Sequence, residues 1–155
     1  MECVNGNQSL WVKNNKQVVN YRSMGFGNPY GDEYDEKMLL RWANEMANQE
    51  IKIISLADTV GLASPEQISF AFKTLIAAYP GILFSAHLHS APVNRVEKLK
   101  AALYAGCTRF EGALKGIGGC PMAQNDLVGN MPTELIIDCF NVENITHRIN
   151  ERALK

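Results

Sequence analysis

His87 and His89 are the residues whose types and spacing point most directly to chemistry. They close the run Ile82-Leu-Phe-Ser-Ala86, which reads as a strand, and side chains along a strand alternate between its two faces. Two imidazoles at i and i+2 therefore point into the same space, and imidazole is the commonest metal-binding side chain. No cysteine or further histidine stands near enough in sequence to complete a tetrahedral set, which argues against structural zinc. The competing reading is two ordinary polar residues at a strand end.

Cys120 sits in Gly116-Ile-Gly-Gly-Cys-Pro121, where three glycines permit tight backbone geometry and leave a thiol uncrowded. It is a candidate for catalysis, set against the plainer reading of an inert loop cysteine. The glycines do not match the G-x-G-x-x-G spacing of a phosphate-binding loop. Cys107 and Cys139 read as packed thiols. Asp58, after Ile-Ser-Leu-Ala, is read as a base, an orienting group or a cap at the approach to a helix, and Asn130 and Glu134, flanking Met-Pro-Thr, also suit a helix start.

These residues must be positioned by the elements around them. Val18-Val-Asn-Tyr21 has strand composition and runs into the turn-rich Met24-Gly-Phe-Gly-Asn-Pro-Tyr-Gly31, after which Met38, Leu39, Trp42, Ala43 and Met46 recur at helical spacing. The unit then repeats. Ile51–Leu56 reads as a strand, and Ser64-Pro-Glu-Gln67 opens a helix with a cap, a first-turn proline and a glutamine three residues on. The third strand leads to a helix with Val93, Val96, Leu99 and Leu103 on one side. Thr108–Glu111 is a fourth strand, Pro132–Phe140 a last helix, and the tail from Val142 is read as a further one.

Alternation of strand and helix predicts parallel βαβ architecture. Asp58, His87, His89 and Cys120 all fall just after strands, so one rim of the sheet is expected to collect them. A complete (β/α)8 barrel needs about 200 residues or more, and this chain supplies about four βα units. The expected fold class is a partial (β/α)8 TIM barrel, about half of one, with residues 1–155 as a single partial domain.

Composition narrows the function further. The 155 residues are 46% hydrophobic and 20% charged, with 15 Lys and Arg against 16 Asp and Glu. That excludes a disordered chain. A formal net charge of −1 gives no electrostatic case for nucleic acid or an anionic membrane as partner. The longest span without Lys, Arg, Asp or Glu, residues 74–94, is broken by Pro80-Gly81 and is no membrane span. Four cysteines without a C-x-x-C pair, and an amino terminus unlike a secretory signal, lead us to expect a cytoplasmic protein.

Taken together, Ser55-Leu-Ala-Asp-Thr-Val-Gly61, Ala86-His-Leu-His89, Gly116-Ile-Gly-Gly-Cys-Pro-Met-Ala-Gln124, Gly129-Asn130 and Pro132-Thr-Glu134 closely resemble the carboxyl-terminal half of 3-hydroxy-3-methylglutaryl-CoA lyase. Met24–Gly31 fits the bacterial members, and the motifs keep one unbroken order. The resemblance implies metal-assisted cleavage of 3-hydroxy-3-methylglutaryl-CoA to acetoacetate and acetyl-CoA with Mg²⁺ or Mn²⁺. By it, His87, His89 and Asn130 fall on metal ligands, Cys120 on the catalytic cysteine of a mobile glycine loop, and Asp58 on an acidic pocket residue. Ser55 falls toward the CoA side and Glu134 behind the ligands. Cys120 would return a proton to the acetyl-CoA enolate, with Asp58 assisting proton transfer from the tertiary hydroxyl.

Two departures stand out. The family's Arg-Asp pair on the first strand, whose Asp is a metal ligand, and a further pocket Glu have no counterpart in these residues, and Ser90 stands where many members carry an acid. An open half-barrel exposes strand edges, so a homodimer or a complementary amino-terminal half-barrel is the expected partner beside the CoA thioester. The alternatives are a Claisen-condensing synthase of the same superfamily, whose usual Gly-Glu-Arg is here Gly119-Cys120-Pro121, and a non-catalytic half-barrel module.

Overall fold

The computed structural model describes residues 10–11, 13–31, 33–119 and 128–154. Strand β1 (Val19–Arg22) is followed by α1 (Glu36–Asn48), β2 (Ile53–Asp58), α2 (Pro65–Ala78), β3 (Leu83–Ser90), α3 (Arg95–Tyr104), β4 (Arg109–Glu111), the two-residue β5 (Gly129–Asn130) and α4 (Thr133–Val142). The first four strands are parallel and lie in chain order β1-β2-β3-β4. Half the wall of a (β/α)8 barrel is laid down in this order. Strand β5 instead pairs antiparallel with the end of β3, setting His89 opposite Asn130 and Ser90 opposite Gly129.

Local chemistry accounts for the helices. Asp35 caps α1 by accepting the Lys37 N–H at 2.9 Å, and Leu39, Ala43 and Met46 form its buried stripe at helical spacing. The capping box expected at α2 is present: Ser64 Oγ accepts the Gln67 N–H at 3.2 Å and Gln67 Oε1 accepts the Ser64 N–H at 2.9 Å. Ile68, Ala71, Phe72 and Leu75 then pack against Ile54, Leu56, Phe84, Ala86 and Leu88 in one core between sheet and helices. Every residue of β2, at the middle of the sheet, is buried.

Three expectations need correction. β2 and β3 run further than their apolar runs suggest, so Asp58, His87 and His89 lie within the strands rather than after them. For β3 the cause is the pairing with β5, which supplies ladder partners for His89 and Ser90. Val93 lies before α3, in a 3₁₀ turn at Pro92–Asn94; it and Val96 are exposed, and the buried side of α3 is Lys98, Leu99 and Ala102. The stripe is displaced because the sheet-facing position is held by a lysine. After Val142 the described residues form no further α-helix, only a single 3₁₀ turn at Glu151–Ala153.

Removing the α2 cap tests this reading of the helices. Ser64→Ala is expected to cost about 1 kcal/mol of unfolding free energy while leaving the circular dichroism of the folded chain unchanged, as read from urea titration. No change in the urea midpoint would remove the cap from the account.

Candidate functional site

Register decides which side chains meet. Across β2, β3 and β4 the pairs Ala57–His87 and His87–Glu111, and Ser55–Ser85 and Ser85–Arg109, stand side by side on one sheet face. The alternate residues Ile54, Leu56, Phe84, Ala86 and Leu88 go to the helix layer. One face therefore carries the core and the other the polar chemistry.

On the polar face His87 Nε2 and His89 Nε2 stand 3.3 Å apart, with ring centroids at 5.2 Å. They line a cleft of about 430 Å³ with Tyr21, Ala57, Thr59, Gly119 and Asn130. Asn130 is set there twice over. Its backbone pairs with His89, and its Nδ2 donates to the Ile117 carbonyl at 2.9 Å, which leaves Oδ1 free of that bond. Gly116 has φ +66, and a Cβ there would meet the Asn130 carbonyl at 2.8 Å. The glycines of this loop are thus what lets it lie against Asn130.

Two ligands on one octahedral ion with bonds of about 2.1 Å are about 3.0 Å apart, and on a tetrahedral one about 3.4 Å. The Nε2–Nε2 distance fits a shared ion of either kind, so the pair with Asn130 suits part of a metal site. Among the described residues no group of three or more His, Cys, Asp or Glu could hold an ion.

Asp58 is not brought to this cleft. It pairs with Leu88 in the register and faces the helix layer, 2% exposed. Its Oδ2 takes a 2.7 Å ion pair from Lys98 and its Oδ1 accepts the Ala63 N–H at 3.1 Å. This differs from the expectation that Asp58 projects into the pocket, and the physical reason is strand alternation: Ala57 and Thr59 take the cleft positions on either side of it. Ser55 is on the cleft face but fully buried below Ala57, with no partner for its hydroxyl among the described residues. Glu134 accepts the Lys115 N–H on both carboxylate oxygens, at 3.1 and 2.9 Å, and so anchors the start of the glycine loop. Cys120 lies outside the described residues.

The sequence profile of the HMGL-like family matches residues 7–155. The chain belongs to the HMGL-like family. It is similar to the hydroxymethylglutaryl-CoA lyase YngG of Bacillus subtilis, with 32% identity over 131 residues, 81% of this chain and 44% of that protein. It is also 36% identical over 101 residues to the (R)-citramalyl-CoA lyase of Chloroflexus aurantiacus, 65% of this chain and 32% of that one. Among solved structures, an HMG-CoA lyase of Acinetobacter baumannii in complex with coenzyme A and 3-methylmalate superposes with a TM-score of 0.83 at 26% identity, covering 99% of this chain and 48% of that one. This HMGL-like chain thus spans less than half the length of those relatives. The partial TIM barrel expected from the sequence is therefore the fold. No helix among the described residues is long and apolar enough to cross a membrane.

The sequence reading passed over Tyr21, Ser85 and Glu111, which stand around His87, and Lys98, which lies behind the cleft on the helix side. Glu111 Oε1 accepts the Ser85 hydroxyl at 2.6 Å, its Oε2 stands 3.3 Å from His87 Nδ1, and Tyr21 sets its ring edge-on to His87. Burial works to raise the Glu111 pKa, but the Ser85 and Tyr21 hydroxyls, His87 and Arg109 outweigh it and hold the carboxyl below its ordinary range. The parallel register Ser85–Arg109 and His87–Glu111 would have exposed this cluster, but register cannot be read from single strands.

His89 is held below the ordinary histidine range, first by burial and then by His87 beside it, against smaller opposing effects of the Val128 backbone and Asp58. Its unfolded form then binds a proton more readily than its folded form, so stability is lost as pH falls through the histidine range. Urea midpoints measured from about pH 7 to pH 5 are expected to decline, and less steeply in His89→Gln. An equal decline in both proteins would refute this assignment.

Proposed function

We propose that this chain provides the ligand-bearing half of a metal-dependent carbon–carbon lyase acting on a branched 3-hydroxyacyl-CoA, with 3-hydroxy-3-methylglutaryl-CoA as substrate and acetoacetate and acetyl-CoA as products. The observation that carries this reading is the convergence of His87 Nε2, His89 Nε2 and Asn130 on one cleft at the carboxyl ends of parallel strands. Membership of the HMGL-like family and the likeness to lyases of CoA thioesters support it.

In this reading His87, His89 and Asn130 hold a divalent cation, Mg²⁺ or Mn²⁺, which when bound supplies Lewis-acid polarisation of the substrate oxygens. The chain's own residues do the rest. The tertiary hydroxyl gives up its proton to the Cys120 thiolate, the adjacent carbon–carbon bond breaks, and the same sulfur, now a thiol, returns that proton to the carbon of the departing acetyl-CoA enolate. Asp58, turned away with Lys98, acts by fixing the end of β2 and the turn after it. Ser55 lies beneath the cleft floor toward the CoA, and Glu134 sets the glycine loop that precedes Cys120. The ligand set is completed by a carboxylate from the other half of the barrel, carried by another stretch of the chain or by a second chain.

The citramalyl-CoA lyase likeness supports a second substrate. Citramalyl-CoA differs from 3-hydroxy-3-methylglutaryl-CoA by one methylene between the tertiary carbon and the free carboxylate, a difference a pocket discriminates by about 1–3 kcal/mol. Both thioesters should be assayed with Mn²⁺, with chelator and with Cys120→Ala, using the chain alone and co-expressed with the first half of the Bacillus relative. Expected is acetoacetate formation from 3-hydroxy-3-methylglutaryl-CoA that requires the ion and falls about 10²–10⁴-fold in Cys120→Ala, with pyruvate as the readout for citramalyl-CoA. Turnover indifferent to both, or condensation of a 2-oxo acid with acetyl-CoA without cleavage, would overturn the proposal.

Support for a partner comes from the edges of the sheet. Among the described residues β1 pairs only with β2 and β4 only with β3, and unpaired edges invite pairing. Light scattering is expected to find the isolated chain self-associating as its concentration rises, and a complementary half to suppress this. A compact monomer at all concentrations would count against both partners.

A further inference from the structure

His87 can carry its neutral proton on either ring nitrogen, and only one choice leaves Nε2 with a lone pair facing His89 and Asn130. The surroundings of Nδ1 favour that choice. This nitrogen is buried and has no aligned hydrogen bond, yet the Glu111 carboxylate stands 3.3 Å away. A carboxylate is an acceptor only, so a lone pair on Nδ1 would face negative charge across a poorly solvated gap, whereas an Nδ1–H would be attracted to it. Glu111 is itself held on its far side, where Oε1 accepts the Ser85 hydroxyl at 2.6 Å and Arg109 Nε stands at 3.6 Å. The side chain is only 15% exposed, and the β3–β4 register puts Glu111 directly beside His87.

The rival arrangement places the proton on Nε2, where it would be donated to His89 Nε2 at 3.3 Å. That bond would close the cleft against any cation, and it would leave the Nδ1 lone pair against the carboxylate. The carboxylate beside Nδ1 favours the first.

We propose that Glu111, braced by Ser85, is a positioning residue that holds the His87 proton on Nδ1 and thereby keeps the Nε2 lone pair open to the cleft. This deepens the proposed function and rests on its reading of His87 as a ligand, but it can be tested without a metal.

The test is long-range ¹H–¹⁵N NMR on the full metal-free chain at about pH 8, above the histidine range. It reads which ring nitrogen of His87 is protonated, with His89→Gln and His147→Gln used for assignment. Native His87 is expected as the Nδ1–H tautomer, and Glu111→Leu as the Nε2–H tautomer. Glu111→Gln, whose amide oxygen still accepts, should keep the native form. Ser85→Ala, which preserves the carboxylate and serves if Glu111→Leu fails to fold, should shift His87 part of the way toward Nε2–H. A native chain with Nε2–H, or variants that leave the tautomer unmoved, would overturn the proposal. Mn²⁺ titration of the chain co-expressed with the first half of the Bacillus relative, followed by electron paramagnetic resonance, separates the two readings: affinity is expected to fall about 10–100-fold in Glu111→Leu. If that pair takes up no Mn²⁺, the metal reading falls and the tautomer result still decides this one.

Discussion

Lys98 Nζ donates to the Asp58 carboxylate at 2.7 Å, to the Gly61 carbonyl at 2.9 Å and to the His89 carbonyl at 3.3 Å. One fully buried ammonium thus joins α3 to the ends of β2 and β3 and to the turn between β2 and α2. An ion so deep is tolerated only when its charge is paired and its hydrogens are used, and removing one partner of such a pair costs about 3–5 kcal/mol. The strands cannot slide without breaking it. Gly61 completes the constraint: its φ is +73, and a Cβ there would meet the Val128 side chain at 2.5 Å. The turn held by Lys98 is therefore also where the chain returning to β5 rests, so the backbone of His89 is fixed from behind by Lys98 and from its side by Asn130.

With the backbone fixed, strand alternation divides the labour. The face toward the helices holds Ile54, Leu56, Phe84, Ala86 and Leu88, whose burial supplies the stability. The other face holds Ser55, Ser85, His87, His89, Arg109 and Glu111, and it is only partly satisfied: Ser55 Oγ is buried without a hydrogen-bond partner among the described residues. Such an atom costs about 1–3 kcal/mol, and it lies on the face that a closed barrel would cover. Polar groups on this face are affordable because the opposite face carries the core.

The order of elements was legible because each helix announces itself in a local pattern. Ser64-Pro-Glu-Gln67 became a capping box, and Ile68, Phe72 and Leu75 became the buried face of α2. The histidine pair was legible for the same reason, since i and i+2 on a strand share a face. What escaped depended on pairing. Asp58 read as a pocket acid because its place in the strand was unknown; β2 runs through it, and alternation then sends its side chain to the helix layer with those of Ile54 and Leu56. Val93 and Val96 gave α3 the appearance of an apolar face, whereas Lys98 took the inward position, which no hydrophobic pattern predicts. Glu111 and Ser85 are 26 residues apart and meet only through the β3–β4 register.

The donor set on this chain also bears on which ion the proposed site could select. Imidazole nitrogens favour zinc, copper, iron and nickel, while carboxylate and water oxygens favour magnesium and manganese. Two histidines and one amide oxygen alone form a nitrogen-rich site with little preference for a hard cation. Glu111 cannot supply the missing hardness by direct ligation, because it stands on the Nδ1 side of His87, opposite the nitrogen that faces His89. Its effect on an ion is indirect, through a more basic imidazole, and that strengthens the preference for borderline metals rather than correcting it. A carboxylate from the other half of the barrel would add both the negative charge and the oxygen donor that the set lacks. Closure of the barrel would then fix the identity of the ion as well as cover the polar face, so that the half described here sets where an ion sits and its complement sets which ion it is.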